Sequence, residues 1–518
     1  MVVGHEPVPG ARVTRRVPVK QRSQGAYKIP GIGIGPAMGT YTNDLHVVHR
    51  AIARRVLYRY DKVTGQYNNR YAPSVEHVNT CLGNISSGFL RAMPNPVECS
   101  VEEFPHLYSG RRHVVMKNAS QSLIVEGPAT GRDAVVYAFA KVQSEDVAAD
   151  PRAIQARCPR YHVSLGRFLK VNEKAFYYGV DSWFGERTIV KGLNGAEVGR
   201  LIARKFESYD SPVAIGLDAS RFDRSVSIPM LRWVHNHYYA HLGKIPELQQ
   251  LLEWQLVNRG KAKARDGKVE YTVDGGVMSG DIDTSLKGCL IMCALVAAWS
   301  RRVGVNIRLV NNGDDCVVFM SDRDQGRFTQ GMREWMAALG FDIVAEDPVY
   351  EIEKVEFCQA KPVLDSTGHY VMCRNPVKAT VKDAMCRTGL CSDKAQRRWM
   401  RAVADCGLAL AGDMPIFAAH YAAMDRHAGK LKSRASDHAA FAHGLMYMSD
   451  RMKRRFGVTV ETRLSFWRAW GILPHEQVAI ESYYEHLTFG NGEGPIDSGP
   501  NHHYHVPFGV SCLANGEA

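Results

Sequence analysis

The chain has 518 residues, 45% of them hydrophobic, which is more than one ordinary domain and enough to bury a large core. A formal net charge of +12 and a pI near 9.1 suit a polyanionic partner, usually nucleic acid, although charge alone fits a merely basic surface equally well. Twelve cysteines without a C-x-x-C pair or zinc-spaced histidines favour a reduced intracellular compartment over a disulfide scaffold; no signal peptide is evident, and the longest apolar run, Cys289 to Trp299, is too short to span a bilayer.

Residues 1–40 are rich in Gly, Pro, Arg and Lys, lack apolar periodicity and read as a mobile basic arm. Residues 130–142 read as a strand. Residues 152–170 read as a basic strand or loop in which Arg152, Arg157, Arg160, Arg167 and Lys170 alternate with apolar residues. Residues 211–217 read as a strand, 225–243, 246–258, 284–303 and 326–339 as helices, and 307–320 and 353–374 as hairpins. Cys289 and Cys293 share a helical face and read as small buried thiols. From 376 to 486 the pattern is almost wholly helical, and from Phe489 onward it is again Gly- and Pro-rich. There His502, His503 and His505 lie close together, more often a solvated cluster than a metal site. The sum is a mixed α/β body followed by an all-helical C-terminal domain.

The run Val213–Leu217 is apolar throughout, as in a buried strand, and ends at Asp218, at the mouth of a sheet. Four residues separate it from Asp223, for which helix capping is the plainer reading. In IRLVNNGDDCVVFM (307–320), Asn312 and Gly313 tolerate the positive φ of a hairpin turn. That hairpin crowds Asp314 and Asp315 between apolar strands, where adjacent like charges are costly without a counter-cation. Hard divalent ions such as Mg²⁺ or Mn²⁺ prefer oxygen ligands and meet the need. Two ions about 4 Å apart can activate an attacking hydroxyl and stabilise departing pyrophosphate. A strand-end Asp with a hairpin Asp-Asp is the minimal set for nucleotidyl transfer. Each motif alone is weak; in this order they are strong.

At these residues the chain resembles the RNA-dependent RNA polymerases of positive-strand RNA viruses, most closely the tombusvirus group. GLDASRFDRSVS (216–227) is similar to that family's motif A, GGVMSGDIDTSLKGCLIM (275–292) to motif B, and NNGDDCVVF (311–319) to motif C. VEFCQAKPV (355–363) with YVMCRNP (370–376) resembles motif E and its return strand. FPHLYSGRRHVVMKNASQSL (104–123), PRAIQARCPRYHVSLGRFLK (151–170) and VKGLN (190–194) resemble the fingers motifs. The resemblance implies an α/β right-hand fold: fingers at 41–210 and 233–270, an α+β palm at 211–232 and 271–375, a mostly helical thumb at 376–486 and a tail at 487–518. It implies replication of a positive-strand RNA genome from ribonucleoside triphosphates. Two Mg²⁺ or Mn²⁺ ions would be held by Asp218, Asp314 and Asp315, with Asp223 near the incoming ribose. RNA template, product duplex and other viral replication proteins would be partners. The place of action would be the host cytoplasm, at membrane-associated complexes to which another protein brings it.

Beside that resemblance, the loop from Gly275 to Gly280 lets backbone approach a nucleotide, and Ser279, Gly280 and Thr284 are candidate contacts, although a plain helix cap explains the loop taken alone. Arg forks suit triphosphate oxygens, making Arg157 and Arg160 the leading candidates. Lys141, Arg152, Arg167, Lys191 and Arg374 are secondary contacts for RNA or triphosphate. Arg397, Arg398 and Arg401 around Trp399, and Lys453, Arg454 and Arg455 before Phe456, suit a product duplex, with the aromatics inside. The chain departs from the family's pattern where Gly288 and Asp283 each replace an Asn, and where Val344 replaces a Lys for which Lys354 is a substitute. The competing readings are a reverse transcriptase, disfavoured by Gly313 and the Ser-Gly…Thr loop, and a catalytically degenerate RNA-binding protein, disfavoured by the three intact aspartates. No Walker A pattern is present.

Overall fold

The computed structural model describes residues 10–16, 27–28, 38–41, 43–61, 63–141, 150–386, 392–433, 444–487 and 503–506. Its centre is a four-stranded antiparallel sheet in the order Arg308–Asn311, Cys316–Ser321, Pro212–Ala219, Ile343–Ala345. The apolar run before Asp218 is continuous because both faces of that strand are covered. Val213, Ile215 and Leu217 face a core shared with the helices Val75–Leu90, Pro159–Phe184, Ile228–Leu242 and Thr284–Val303. Ala214, with Val317 and Phe319 from the neighbouring strand, faces Leu201, Ile202 and Phe206 of the helix Gly195–Phe206. The helix Thr284–Val303 is buried from Leu286 to Trp299, Cys289 and Cys293 included, as the apolar run from Cys289 to Trp299 requires.

A second sheet is built from Ala11–Arg15, Gly267–Asp274, Val257–Ala264, Val136–Ala140 and Ala153–Ala156, in that order. Strict alternation puts Ala262, Ala264, Val269 and Tyr271 against the helix Leu45–Ile52, and leaves Arg259, Lys261, Lys263 and Lys268 in solvent. The expected helix over 246–258 therefore stops at Glu253, and 257–274 is a hairpin closed by the two-residue turn Arg265-Asp266.

Three other expectations change. The 152–170 segment is not a strand or loop throughout: after the short strand Ala153–Ala156 it enters the 26-residue helix Pro159–Phe184, started by its proline and ended by Gly185 at φ 72°. The 326–339 helix is broken by Gly331, at φ 75°, into Gln325–Thr329 and Met332–Ala338. Within the supposed mobile arm, Ala11–Arg15 pairs with Gly267–Tyr271, Tyr27–Lys28 with Met385–Cys386, and Met38–Tyr41 with His503–Val506. The rest of that arm except residues 10 and 16, His502, and the tail from 488 apart from 503–506 lie outside the described residues.

The hairpin Ala360–Leu364/Tyr370–Arg374 falls inside the one expected over 353–374. Beyond it, helices including Asp393–Ala411, Phe417–Ala428, Val460–Trp470 and Pro474–His486 enclose a separate core around Trp399, Leu408, Phe417, Tyr421, Phe466 and Tyr484. Trp399 is inside, as expected, but Phe456 is 68% exposed. No helix among the described residues is long and apolar enough to cross a membrane.

Candidate active site

The register of the central sheet brings the acids together. Cys316 pairs with Leu217, so the next residues along, Asp315 and Asp218, adjoin at the end of the ladder; Val344 flanks Asp218 from the other side. The turn that carries Asp314 and Asp315 is tied down from within. Asn311, fully buried, donates from Nδ2 to the Gly313 carbonyl (2.7 Å) and accepts the Gly313 N–H on Oδ1 (3.0 Å), while the Asn312 N–H donates to the Asp315 carbonyl (2.9 Å). Gly313 takes φ 94°, a conformation that disfavours any side chain. Gly288 lies under this turn: a Cβ there would sit 3.3 Å from the Gly313 Cα.

The electrostatics match the crowding. Burial, then the charges of Asp314 and Asp218, push Asp315 above the usual carboxylate range. Burial, then Asp314, push Asp223 up to about 7. Glu346, on the edge beside Gly216, is raised first by burial and then by Glu356, Asp218 and Asp315. As the side chains stand, no three His, Cys, Asp or Glu residues among those described enclose a metal position. The donor set is nonetheless all carboxylate oxygen, exposed at Asp218, Asp314 and Asp315, and burdened with like charge; it fits a hard divalent cation.

A cavity of about 1010 Å³ opens over the acids, lined by Asp223, Asp314, Ser279, Thr284 and Gly288. Its cations are Arg152, Lys170, Lys174, Arg187 and Lys191. Arg152 has no ion-pair partner among the described residues, and Lys191 donates to the Asn312 carbonyl at 3.4 Å. Lys174 and Tyr177 escaped sequence reading because they follow Lys170 at helical spacing, in a segment expected to be extended. The loop is shaped by the groups expected to touch ligand. Ser279 Oγ accepts from the Gln155 N–H (3.1 Å), Thr284 Oγ1 donates to the Met278 carbonyl (2.6 Å), and a Cβ on Gly280 would meet the Gln155 carbonyl oxygen at 2.8 Å. The hydroxyl that sequence reading missed is Ser285, which lines the cavity and hydrogen-bonds Tyr177 at 3.3 Å.

Several candidates prove to be scaffolding. Arg157 is 4% exposed, ion-paired to Asp281 at 3.1 Å and bonded to Asn258 and the Ala134 carbonyl. Arg160 pairs with Asp133 (3.3 Å) and donates to Ser122 Oγ (2.6 Å) and the Gly127 carbonyl (2.9 Å). Arg167 lies on the Phe168 ring and pairs with Glu247. Arg374 binds Asp383 (3.1 Å) and Tyr421 (2.5 Å) and lines a different cavity, of about 500 Å³. Neither Lys141 nor Lys354 lines the chamber over the acids. Asp283 is buried and paired at 3.1 Å with Lys287, which also donates to Gln255 Oε1 (2.8 Å). In the C-terminal helices Arg401 and Arg454 share Asp425, Arg455 holds Asp365 and Asp413, and Arg397 faces Asp393; Arg398 and Lys453 are exposed and have no such partner among the described residues.

The family described as viral RNA dependent RNA polymerase matches residues 11–491. The RNA-directed RNA polymerase of Turnip crinkle virus is 36% identical over 471 residues, 89% of this chain and 60% of that protein. That of Maize chlorotic mottle virus is 37% identical over 90% of this chain and 49% of its own length. For Tobacco necrosis virus strain A the figures are 35%, 90% and 64%. The chain spans between about half and two thirds of the length of these relatives.

Proposed function

The chain belongs to the viral RNA-dependent RNA polymerase family, and we propose that it copies an RNA template by joining ribonucleoside triphosphates through nucleotidyl transfer. The observation that carries this reading is the meeting of Asp218 with the Asp314–Asp315 turn at the end of the central sheet, where Asp314 lines a cavity walled by five cations. Asp218, Asp314 and Asp315 would hold two Mg²⁺ or Mn²⁺ ions, which when bound activate the attacking 3′-hydroxyl and neutralise the departing pyrophosphate. Arg152 and Lys191 face the triphosphate, Asp223 lies beside the ribose, and the Ser279–Gly280 backbone sets the wall against which the nucleotide rests.

On this reading the central sheet is the palm, the five-stranded sheet and its helices are the fingers, and the helices from Pro376 onward are the thumb. The product duplex lies along Arg398 and Lys453. The work is done in the host cytoplasm, on membrane-associated complexes to which another viral replication protein delivers the enzyme.

Purified protein is expected to extend RNA templates with ribonucleotides in Mg²⁺ or Mn²⁺, with and without primer, and to discriminate against deoxyribonucleotides. Asp314→Ala is expected to abolish synthesis while RNA affinity changes less than about threefold. Near-normal elongation by Asp314→Ala would falsify the assignment.

A further inference from the structure

The one-turn helix Phe222–Ser225 has two faces. Phe222 and Asp223 line the carboxylate chamber, whereas Arg224 and Ser225 line a separate cleft of about 750 Å³. Arg70, Tyr58, Tyr71 and Asp274 complete the walls that matter here. Arg224 is 8% exposed, yet among the described residues its side chain makes one hydrogen bond, a donation from Nη1 to the Tyr58 carbonyl (2.5 Å), and its buried Nε has no partner there. Arg70 donates from Nη1 to the Arg224 carbonyl (2.8 Å) and from Nη2 to the Asp274 carbonyl. Backbone carbonyls satisfy donors but cancel no charge. Among the described residues no carboxylate lies within ion-pair distance of either guanidinium; Asp342, the acid that offsets Arg224 from further off, is already shared by Arg59 (3.0 Å) and Arg333 (3.3 Å).

A buried cation without a counter-charge is costly, and packing alone would be served as well by an apolar side chain. Burial, then the charges of Arg221, Arg70 and Arg59, pull Arg224 down to about 10, so it still carries its proton at neutral pH. Two guanidinium forks at one cleft match the tetrahedral oxygens of a phosphate. Tyr71, 62% exposed, offers a ring face beside them, which suits an attached base. Asp274, exposed on the same wall, offsets Arg70 from beyond ion-pair distance, and there water screens its repulsion of a bound anion.

We propose that the Arg70–Arg224 cleft binds a phosphate group, carried by a free polyphosphate or by an RNA backbone, as a second anion site separate from the chamber over the acids. Arg70 holds the Arg224 carbonyl, and the Asp223 carbonyl accepts the Val277 N–H (2.8 Å), so an occupied cleft stiffens the turn that aims Asp223. The site stands whether or not the chain proves to be a polymerase.

The test uses the full chain without divalent cations, titrated by calorimetry with tripolyphosphate and, separately, with a 5′-hydroxyl oligoribonucleotide. Arg70→Gln leaves the buried Arg224 in place and is expected to weaken at least one of the two ligands roughly tenfold, with Arg70→Lys recovering part of the loss. Arg152→Gln, in the other chamber, is expected to leave the component sensitive to Arg70 intact. Loss confined to tripolyphosphate identifies a free polyphosphate as the occupant, and loss confined to the oligonucleotide identifies the RNA backbone. If the wild type binds neither, or Arg70→Gln changes neither by more than twofold while its melting temperature is normal, the site does not exist.

Discussion

Asp150 is shared by three guanidiniums, those of Arg50 (3.0 Å), Arg54 (2.9 Å) and Arg221 (3.2 Å), two residues before Arg152 enters the chamber. Burial would raise its pKa, but the bonds from Arg54 and Arg50 outweigh burial and hold it below the usual carboxylate range. Removing it leaves three cations facing one another and frees the segment that carries Arg152. Asp150→Ala is therefore expected to raise KM for nucleoside triphosphates roughly tenfold with a smaller change in kcat, and Asp150→Glu to restore part of it; a loss confined to kcat would speak against this role. At Gly288 the added methyl of Ala would press on Gly313 at 3.3 Å, while alanine favours the helix by about 1 kcal/mol. Synthesis by Gly288→Ala should fall at least tenfold with urea unfolding little altered, because the displaced atom adjoins Asp314. The meeting of Asp218 with Asp314 and Asp315 was legible in sequence because strand ends and turns announce where such residues sit. Arg157 and Arg160 were not, since a positive charge does not disclose its partner: Asp281 lies 124 residues from the one and Asp133 27 from the other.

Elements were readable where one pattern dominated. The hairpin 308–321 combines apolar strands with Asn-Gly, and Thr284–Val303 runs unbroken between an Asp and a Gly. The hairpin 257–274 carried an equally plain signal, alternation on both sides of the Arg265-Asp266 turn, but its charged outer face resembles a helix surface when read without the period. Thr284–Val303 is also pinned by chemistry that no periodicity reveals, the buried Asp283–Lys287 pair with Gln255 between neighbouring elements. Lys287→Met should cost about 3–5 kcal/mol by stranding Asp283, and adding Asp283→Asn should recover most of it in urea unfolding. If the single and double variants are equally unstable, packing rather than charge is what Lys287 contributes.

Across the described residues, three enclosed imidazoles, those of His235, His237 and His420, make the fold sensitive to acid. Burial pulls His235 and His237 down to about 3 and His420 to about 4. Above pH ~6.5 both folded and unfolded chains hold them neutral, so they do not affect stability there. Below that value the unfolded chain takes up protons that the folded chain refuses, so stability falls as pH drops towards 4, by about 1.4 kcal/mol per pH unit for each. Denaturant titrations at pH 7, 6 and 5 should show this slope, and His237→Gln should reduce it by one proton. At this scale the sequence disclosed a mixed body and a helical end, because composition and period change near residue 376. It did not disclose that the early segment Ala11–Arg15 closes the edge of a sheet whose other strands come from 136 to 274, since such pairing is decided by which edge is left open.

The strand bearing Asp218 is hydrogen-bonded on both sides to segments made far later, around residues 316–321 and 343–345. While the chain is still emerging from the ribosome, that strand waits without neighbours, its apolar residues uncovered. The sheet can therefore close over that strand only after residue 345 has been made, and a ribosome stalled before residue 343 would release a chain prone to clump.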